Sequence, residues 1–486
     1  MRATLGFVGL MLAFLFGHSH RISAVLPENK LVIYPAPKGI PANRHYKVTV
    51  GGRNVHVYDV KVGAAASERR FKAVDDLLNS AQYFDMAAFA YFDFAGKASV
   101  KVSLQKVVKS VRILPTSAAI VAKISGNTIA FQVAKPQNLT IEINGEVINS
   151  LHLFANPLET DRPSPLDTNV IYFGPGVHHV SGMIVGDNKT VYIAGGAVVK
   201  TVVGASERYG VEPSGLRNYA PSFELRGKNI KFRGRGIIDG SESPVHARNL
   251  IMVHGQQIEL NGVILVNSPG WTVPLRESEK VLVKNIKILG YRANSDGIDI
   301  CNSREVVVDS CFIRTNDDLI VIKTWENQGI AKQITVKNCV LWNQLANALS
   351  LGAELREDVS DVLFYNCDII HDYSRAWCLR IFHSDDAKVS NITFEKIRIE
   401  EGHQLISVWM GNDIASHNGQ RGRVENIVFK AISANGGALN IDVVGANANS
   451  VINNVRFEDV WLHGQRLIRD QVKNNQFVKD ITVVPQ

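Results

Sequence analysis

Between Ile230 and Val455 the chain returns nine times to one phrase. It reads IKFRGRGII at Ile230, IELNGVILV at Ile258, VLVKNIKIL at Val281, VVVDSCFIR at Val306, ITVKNCVLW at Ile334, VLFYNCDII at Val362, ITFEKIRIE at Ile392, IVFKAISAN at Ile427 and VRFEDVWLH at Val455, with a related VYIAGGAVV at Val191. The steps between starts are 28, 23, 25, 28, 28, 30, 35 and 28 residues. Each phrase alternates apolar and polar residues, passes a small or polar residue, and alternates again. Alternation is the period of a strand, and nothing in these units has the period of a helix. A repeat this short cannot bury its apolar face alone and must stack on the next copy.

The fifth residue after each start, from Ile258 on, is Val263, Ile286, Cys311, Cys339, Cys367, Ile397, Ile432 and Val460. That is one inward column. The residue before it is often polar (Asn285, Ser310, Asn338, Asn366, Asp459), which suits an Asx-type bend between two strands. The expected fold is all-β: a right-handed parallel β-helix of about ten coils over residues 166–486. Leucine-rich repeats share the period but need a leucine/asparagine pattern that is absent.

Ahead of the repeat, HYKVTVG, VHVYDVKV, SVKVSLQKV, TIAFQVA and LTIEIN are short alternating segments separated by turn residues such as the hairpin pair Asn144-Gly145. Residues 25–165 are expected to form a small antiparallel β-sandwich, ending at the Pro-rich stretch from Pro157 to Pro165. Arg2, the apolar run Leu5 to Phe16 and Ile22-Ser23-Ala24 mark residues 1–24 as a secretory signal. The protein is therefore expected outside the cytoplasm, extracellular or periplasmic. The apolar run is too short to span a bilayer, so no membrane insertion is expected.

The net charge of +7 comes without any Lys/Arg block, which argues against nucleic acid as a partner and leaves weak attraction to a polyanion open. The five cysteines do not form a disulfide framework; Cys311, Cys339 and Cys367 fall at the column position and read as buried free thiols. The 14 histidines show no metal-ligand spacing, and His371, His383 and His403 read as surface residues. Neither a metal nor another cofactor is expected, and the chain is expected to act as a monomer.

Stacking the second strand of each unit gives the functional reading. Its first inward residue is Ile298, Ile320, Leu349, Leu379 and Ile406 in turn. Two residues earlier stand Asp296, Asp318, Asn347, Trp377 and Gln404, with Asp317 beside Asp318. Coils stack about 4.8 Å apart, so three acids meet across one step. Like charges that close raise the pKa of at least one, which is what a glycosidase needs: one carboxyl to protonate the leaving oxygen and ionised carboxylates to activate water. Three residues after each inward aliphatic come Lys323, Phe382 and Trp409, and one after comes Arg380. Asn294, Lys323, Asn347, Arg380, Trp409 and, from the preceding coil, Trp271 are the candidate substrate contacts.

NSDGIDI at Asn294 and NDDLIVIK at Asn316, with 21 residues from Asp296 to Asp317, resemble the signature of family 28 glycoside hydrolases, the polygalacturonases and their relatives. GRGIIDG at Gly234, NSPGWT at Asn267, ALSLGAE at Ala348 and LRIF at Leu379 resemble that family's flanking text. The resemblance implies an inverting enzyme, with Asp317 as general acid and Asp296 and Asp318 holding the attacking water. Two positions depart from the pattern. Ala346-Asn347-Ala348 replaces a histidine between glycines, and Phe382 replaces the lysine that grips a uronate with arginine. The sandwich-plus-helix layout also resembles family 49, the dextranases and isopullulanases, which act on neutral glucans.

Three readings follow: a hydrolase of a pectic or neutral polysaccharide, a lyase on the same fold with acids binding calcium and Arg380 or Lys323 as base, or a non-catalytic glycan-binding β-helix. The register of the three acids favours the first.

Overall fold

The computed structural model describes residues 29–63, 82–373 and 376–484; the expected leader at residues 1–24 lies outside the described residues. From Val170–Phe173 to Val478–Val484 one continuous ladder of strands winds as a parallel β-helix. The repeat sets its register. Ile230 pairs with Ile258, then Val281, Val306, Ile334, Val362, Ile392, Ile427 and Val455 follow, and Ile481 adds one more step. The phrase at Val191 is displaced by two, Val191 standing opposite Phe232.

The inward column is dry. Val263, Ile286, Cys311, Cys339, Cys367, Ile397 and Ile432 are fully buried and Val460 nearly so. All five cysteines are free. A second column stacks Phe364, Phe394, Phe429 and Phe457, with ring centroids 4.6, 5.0 and 5.2 Å apart. The bend between the two strands is left-handed rather than an Asx turn: Asn285, Ser310, Asn338, Asn366 and Asp459 have φ of 52° to 60°. Asn and Asp tolerate this region best, because a short polar side chain can bond locally. Here the side chains bond along the helix axis, Asn366 Nδ2 donating to Asn338 Oδ1 at 2.7 Å and Asn338 Nδ2 to Asp309 Oδ1 at 2.8 Å.

Two sheets precede the helix. One carries Tyr46–Val50, Arg53–Val55, Ala98–Leu104, Lys123–Ser125 and Thr128–Val133; the other is built on Phe84–Ala95, Gln137–Ile143 and Glu146–Pro157. Val48, Val102, Phe92, Phe131, Ile141 and Leu153 fill the space between them. Pairing is antiparallel except between Phe84–Ala95 and Glu146–Pro157, which run parallel. Residues 87–94 of the first and 150–156 of the second are buried at every position because both their faces are covered. The far face, with Phe89, Tyr91 and Phe154, packs on Ile264, Leu289, Phe312 and Trp342 of the β-helix.

That contact corrects one expectation. His371 is fully buried in it, its Nε2 against Glu142 of the N-terminal sheet and its Nδ1 2.8 Å from Glu401. His383 is also buried, bonding the Ala387 carbonyl at 2.7 Å, and only His403 is exposed. The period of the strands assigns inward and outward faces but cannot reveal that an outward face is covered by another sheet. Among the described residues no helix is long and apolar enough to cross a membrane.

Candidate active site

The second strand of each coil stacks as the alternation requires: Val273 on Ile298, Ile298 on Ile320, Ile320 on Leu349, Leu349 on Leu379 and Leu379 on Ile406. These aliphatics point into the core, so their neighbours point out. Just before each strand the chain turns, and the turns hold the acids. Asn294 adopts φ 53° there, partly exposed. Gly297 lies so close to the next coil that a Cβ would stand 2.3 Å from the Leu319 carbonyl oxygen, which is why glycine follows Asp296.

One carboxylate oxygen from each of Asp296, Asp317 and Asp318 lies within 4.8 Å of the other two. Asp296 is 2% exposed, while Asp317 and Asp318 are open in part to the groove. Asp318 is held by Asn347, whose backbone N and Nδ2 donate to its Oδ1 at 2.9 and 2.8 Å. The Asp317 Oδ1 accepts from the Asp318 backbone N at 3.0 Å. Lys323 Nζ donates to Asp296 Oδ2 at 3.4 Å and to Asp299 Oδ1 at 3.2 Å.

The electrostatics separate the acids from an ordinary surface cluster. Burial, then the charges of Asp296 and Asp318, pushes the Asp317 carboxyl well above the usual carboxylate range. Burial and Asp299 do the same to Asp296, against the pull of Lys323. Asp299 is raised to about 6 by burial, again against Lys323. Burial works against the Lys323 charge, but Asp299 and Asp296 outweigh it and hold the ammonium charged. The site thus holds protons on carboxyls at a pH where free carboxyls have lost them, the condition for a general acid. The three acids could also converge on one cation, but calcium takes about six to eight oxygens.

Lys323 differs from expectation. It is only 5% exposed, and its ammonium is hydrogen-bonded to Asp296 and Asp299 beneath the acids. Asp299 is the partner that sequence reasoning did not single out. It occupies the outward position one residue after Ile298, and its only signal was a carboxylate where neighbouring coils carry Val321 and Ser350. Trp271 packs its ring 4.1 Å from Lys323 Nζ. On the other side of the acids, Asn347 Oδ1 accepts from the Trp377 backbone N at 3.3 Å and from Arg380 Nη1 at 3.5 Å. The Arg380 guanidinium lies 3.8 Å from the centre of the Phe382 ring, and Phe382 meets Trp409 at 5.1 Å. Trp271, Asn294, Asn347, Arg380 and Trp409 therefore line one face with the acids between them.

Residues 229–481 match the model of glycosyl hydrolases family 28. An exopolygalacturonase of Arabidopsis thaliana is 25% identical over 266 residues, 51% of this chain and 59% of that protein. Matches to curated relatives span 24% to 59% of those relatives' lengths. Among solved structures, Dex49A from Penicillium minioluteum aligns with a TM-score of 0.65 at 14% identity, over 93% of this chain and 96% of that one. The hyperthermoactive exopolygalacturonase of Thermotoga maritima aligns with a TM-score of 0.53 at 18% identity, over 65% of this chain and 84% of that one. At these identities the structural likeness is one of fold.

Proposed function

The chain belongs to glycosyl hydrolase family 28, and from that premise we propose that it is a secreted hydrolase of the O-glycosidic bonds of a pectic polysaccharide. Residues 1–24 would be its leader, 25–165 an accessory sandwich domain and 166–486 the catalytic domain. The observation that carries the reading is the convergence of Asp296, Asp317 and Asp318 within 4.8 Å at an open face of the helix. Asp317, kept protonated by burial and its neighbours, donates a proton to the leaving oxygen. Asp318, oriented by Asn347, activates the water, and Asp296 helps to hold it. Asn294, Trp271, Arg380 and Trp409 would contact the sugar chain, and aromatic faces suit the apolar face of a pyranose.

Carboxyls of inverting enzymes usually stand about 6.5–9.5 Å apart, leaving room for water, whereas about 5 Å suits a carboxylate that attacks the sugar directly. The closeness of these oxygens therefore makes the product anomer the decisive measurement. We assign inversion because the roles follow the family pattern and because two acids, not one, are available to hold a water.

A second reading has its own observation. Phe382, packed against Arg380 and Trp409, puts an apolar ring where a uronate-gripping lysine is expected, which suits a neutral glucan. Reducing-end release from polygalacturonate and dextran, with product anomers followed by NMR and ultraviolet absorbance recorded, tests all of this. Hydrolysis of polygalacturonate with inverted product is expected. Cleavage of dextran alone would transfer the assignment to neutral glucans. A new absorbance from an unsaturated product would make the protein a lyase, and no cleavage of any glycan would leave only binding.

A further inference from the structure

One coil before the acids, the groove carries a cluster outside the set so far assigned. Val273 pairs with Ile298, so Trp271 occupies the row next to Asp296, and Arg276 pairs with Cys301, whose next partner is Lys323. Arg276 thus projects from the same outward column as Lys323. Its guanidinium carbon lies 5.5 Å from the centre of the Trp271 ring and 5.0 Å from that of Trp325. The two indoles approach each other at 6.2 Å with a tilt of 38°. All three residues are partly exposed. Among the described residues the Arg276 side chain forms no ion pair, and its guanidinium lies against these two aromatic rings.

The contrast with Lys323 is instructive. That ammonium is buried, 4.1 Å from the same Trp271 ring, and already hydrogen-bonded to two aspartates. Arg276 is the cation of this column left with its donors open to the groove. The guanidinium packs beside both indoles, and its edge carries paired N–H donors that match a carboxylate. The indoles meanwhile offer flat apolar surface to a sugar ring. On the opposite side of the acids the equivalent position is Phe382, which has no charge to give.

We propose that Arg276, beside the Trp271–Trp325 pair, is the site that recognises a uronate carboxylate, one sugar along the groove from the scissile bond on the side of the N-terminal coils. The proposal rests on the pectic reading above and places charge recognition on the other side of the acids from Arg380 and Phe382. It makes Arg276 and Trp325 specificity-determining residues that do not touch the reacting atoms.

The test compares polygalacturonate with the same polymer after chemical reduction of its carboxyls. Arg276→Gln should raise KM for polygalacturonate about tenfold or more, the scale of losing a charge-assisted hydrogen bond, with kcat changed by less than about twofold. The rise should be distinctly smaller on the reduced polymer, and Arg276→Lys should recover part of the loss. An equal rise on both polymers, or none on polygalacturonate, overturns the proposal. Binding is measured separately by tryptophan fluorescence with trigalacturonate in Asp317→Asn protein. Adding Arg276→Gln should weaken that titration about tenfold, and an unchanged titration would overturn the proposal. If the wild type releases no reducing ends from either polymer, the hydrolase reading fails by itself, and the titration still decides the role of Arg276.

Discussion

Asp299 Oδ1 lies 3.2 Å from Lys323 Nζ, and both residues are sealed from solvent, 0% and 5% exposed. The pair stands beneath the acids, one coil step apart, and its ammonium also reaches Asp296. Removing a carboxylate from under Asp296 has two consequences. Lys323 loses one of its two carboxyl partners, and Asp296 loses the neighbour that, after burial, does most to keep its proton on.

Asp299→Asn should therefore lower turnover about 10- to 100-fold, the scale on which misplacing a reacting group acts. It should also move the acid limb of the kcat/KM profile to lower pH, because Asp296 then ionises more easily. KM should change little. A pH–rate profile checks both; a fall in turnover with an unmoved limb would reduce Asp299 to a packing residue.

His371 joins the two parts of the molecule, between Glu142 of the N-terminal sheet and Glu401 of the β-helix. Burial opposes its charge, but the two glutamates outweigh burial and raise its pKa above 6.5. Its stabilisation is then full below the unfolded value of 6.5 and is lost as pH rises through the folded value. Glu401 is lowered to about 2, chiefly by His371, so its share is present above 4.5 and lost as pH falls toward 2. Thermal melts of wild type and His371→Gln should differ most between about pH 4.5 and 6.5 and converge at alkaline pH. A constant difference across pH would mean that His371 contributes shape and not charge.

What the sequence disclosed follows from periodicity. A strand repeat locks register, since slipping by one residue would turn every core side chain outward. The alignment of Ile298, Ile320, Leu349, Leu379 and Ile406, and with it the neighbourhood of Asp296 and Asp318, is therefore legible in the sequence alone. Two things are not. Periodicity gives the row of an outward residue but not its reach, so Lys323 read as a groove residue although its flexible stem folds back to Asp299. Contacts between distant segments, such as His371 with Glu142 at a separation of 229 residues, leave no local signal at all.

The cysteine column yields a chemical check. Cys311, Cys339 and Cys367 are fully buried, and hydrogen bonding of the Cys339 thiol with Cys311 and Cys367, together with burial, raises it well above its ordinary range. Thiolate is the reactive form, so native protein should react slowly with a thiol reagent and unfolded protein should titrate five thiols. Rapid modification of native protein, or a disulfide between any two of the three by mass spectrometry, would break the column.

Asp317 carries the most demanding prediction, because its two roles pull in opposite directions. Its raised pKa is what qualifies it as an acid, and the same shift is a penalty on the fold. A carboxyl near 3.9 when unfolded and higher when folded gives full stability below about pH 3.9 and loses it as pH rises through the folded value. Asp317→Asn removes that penalty together with the proton. Turnover should fall by about 100-fold or more, the lower range of general acid–base effects, while Tm at pH 7 rises and Tm near pH 3.5 stays close to wild type. Asp318→Asn should also cut turnover about 100-fold or more, by weakening the hold on water. Rate assays and melts at the two pH values check the pair of outcomes together. A folded Asp317→Asn protein with near-normal activity would remove that residue as the acid. A variant both inactive and destabilised at pH 7 would mean that the carboxylate is structural, bound by partners stronger than the repulsion from Asp296 and Asp318.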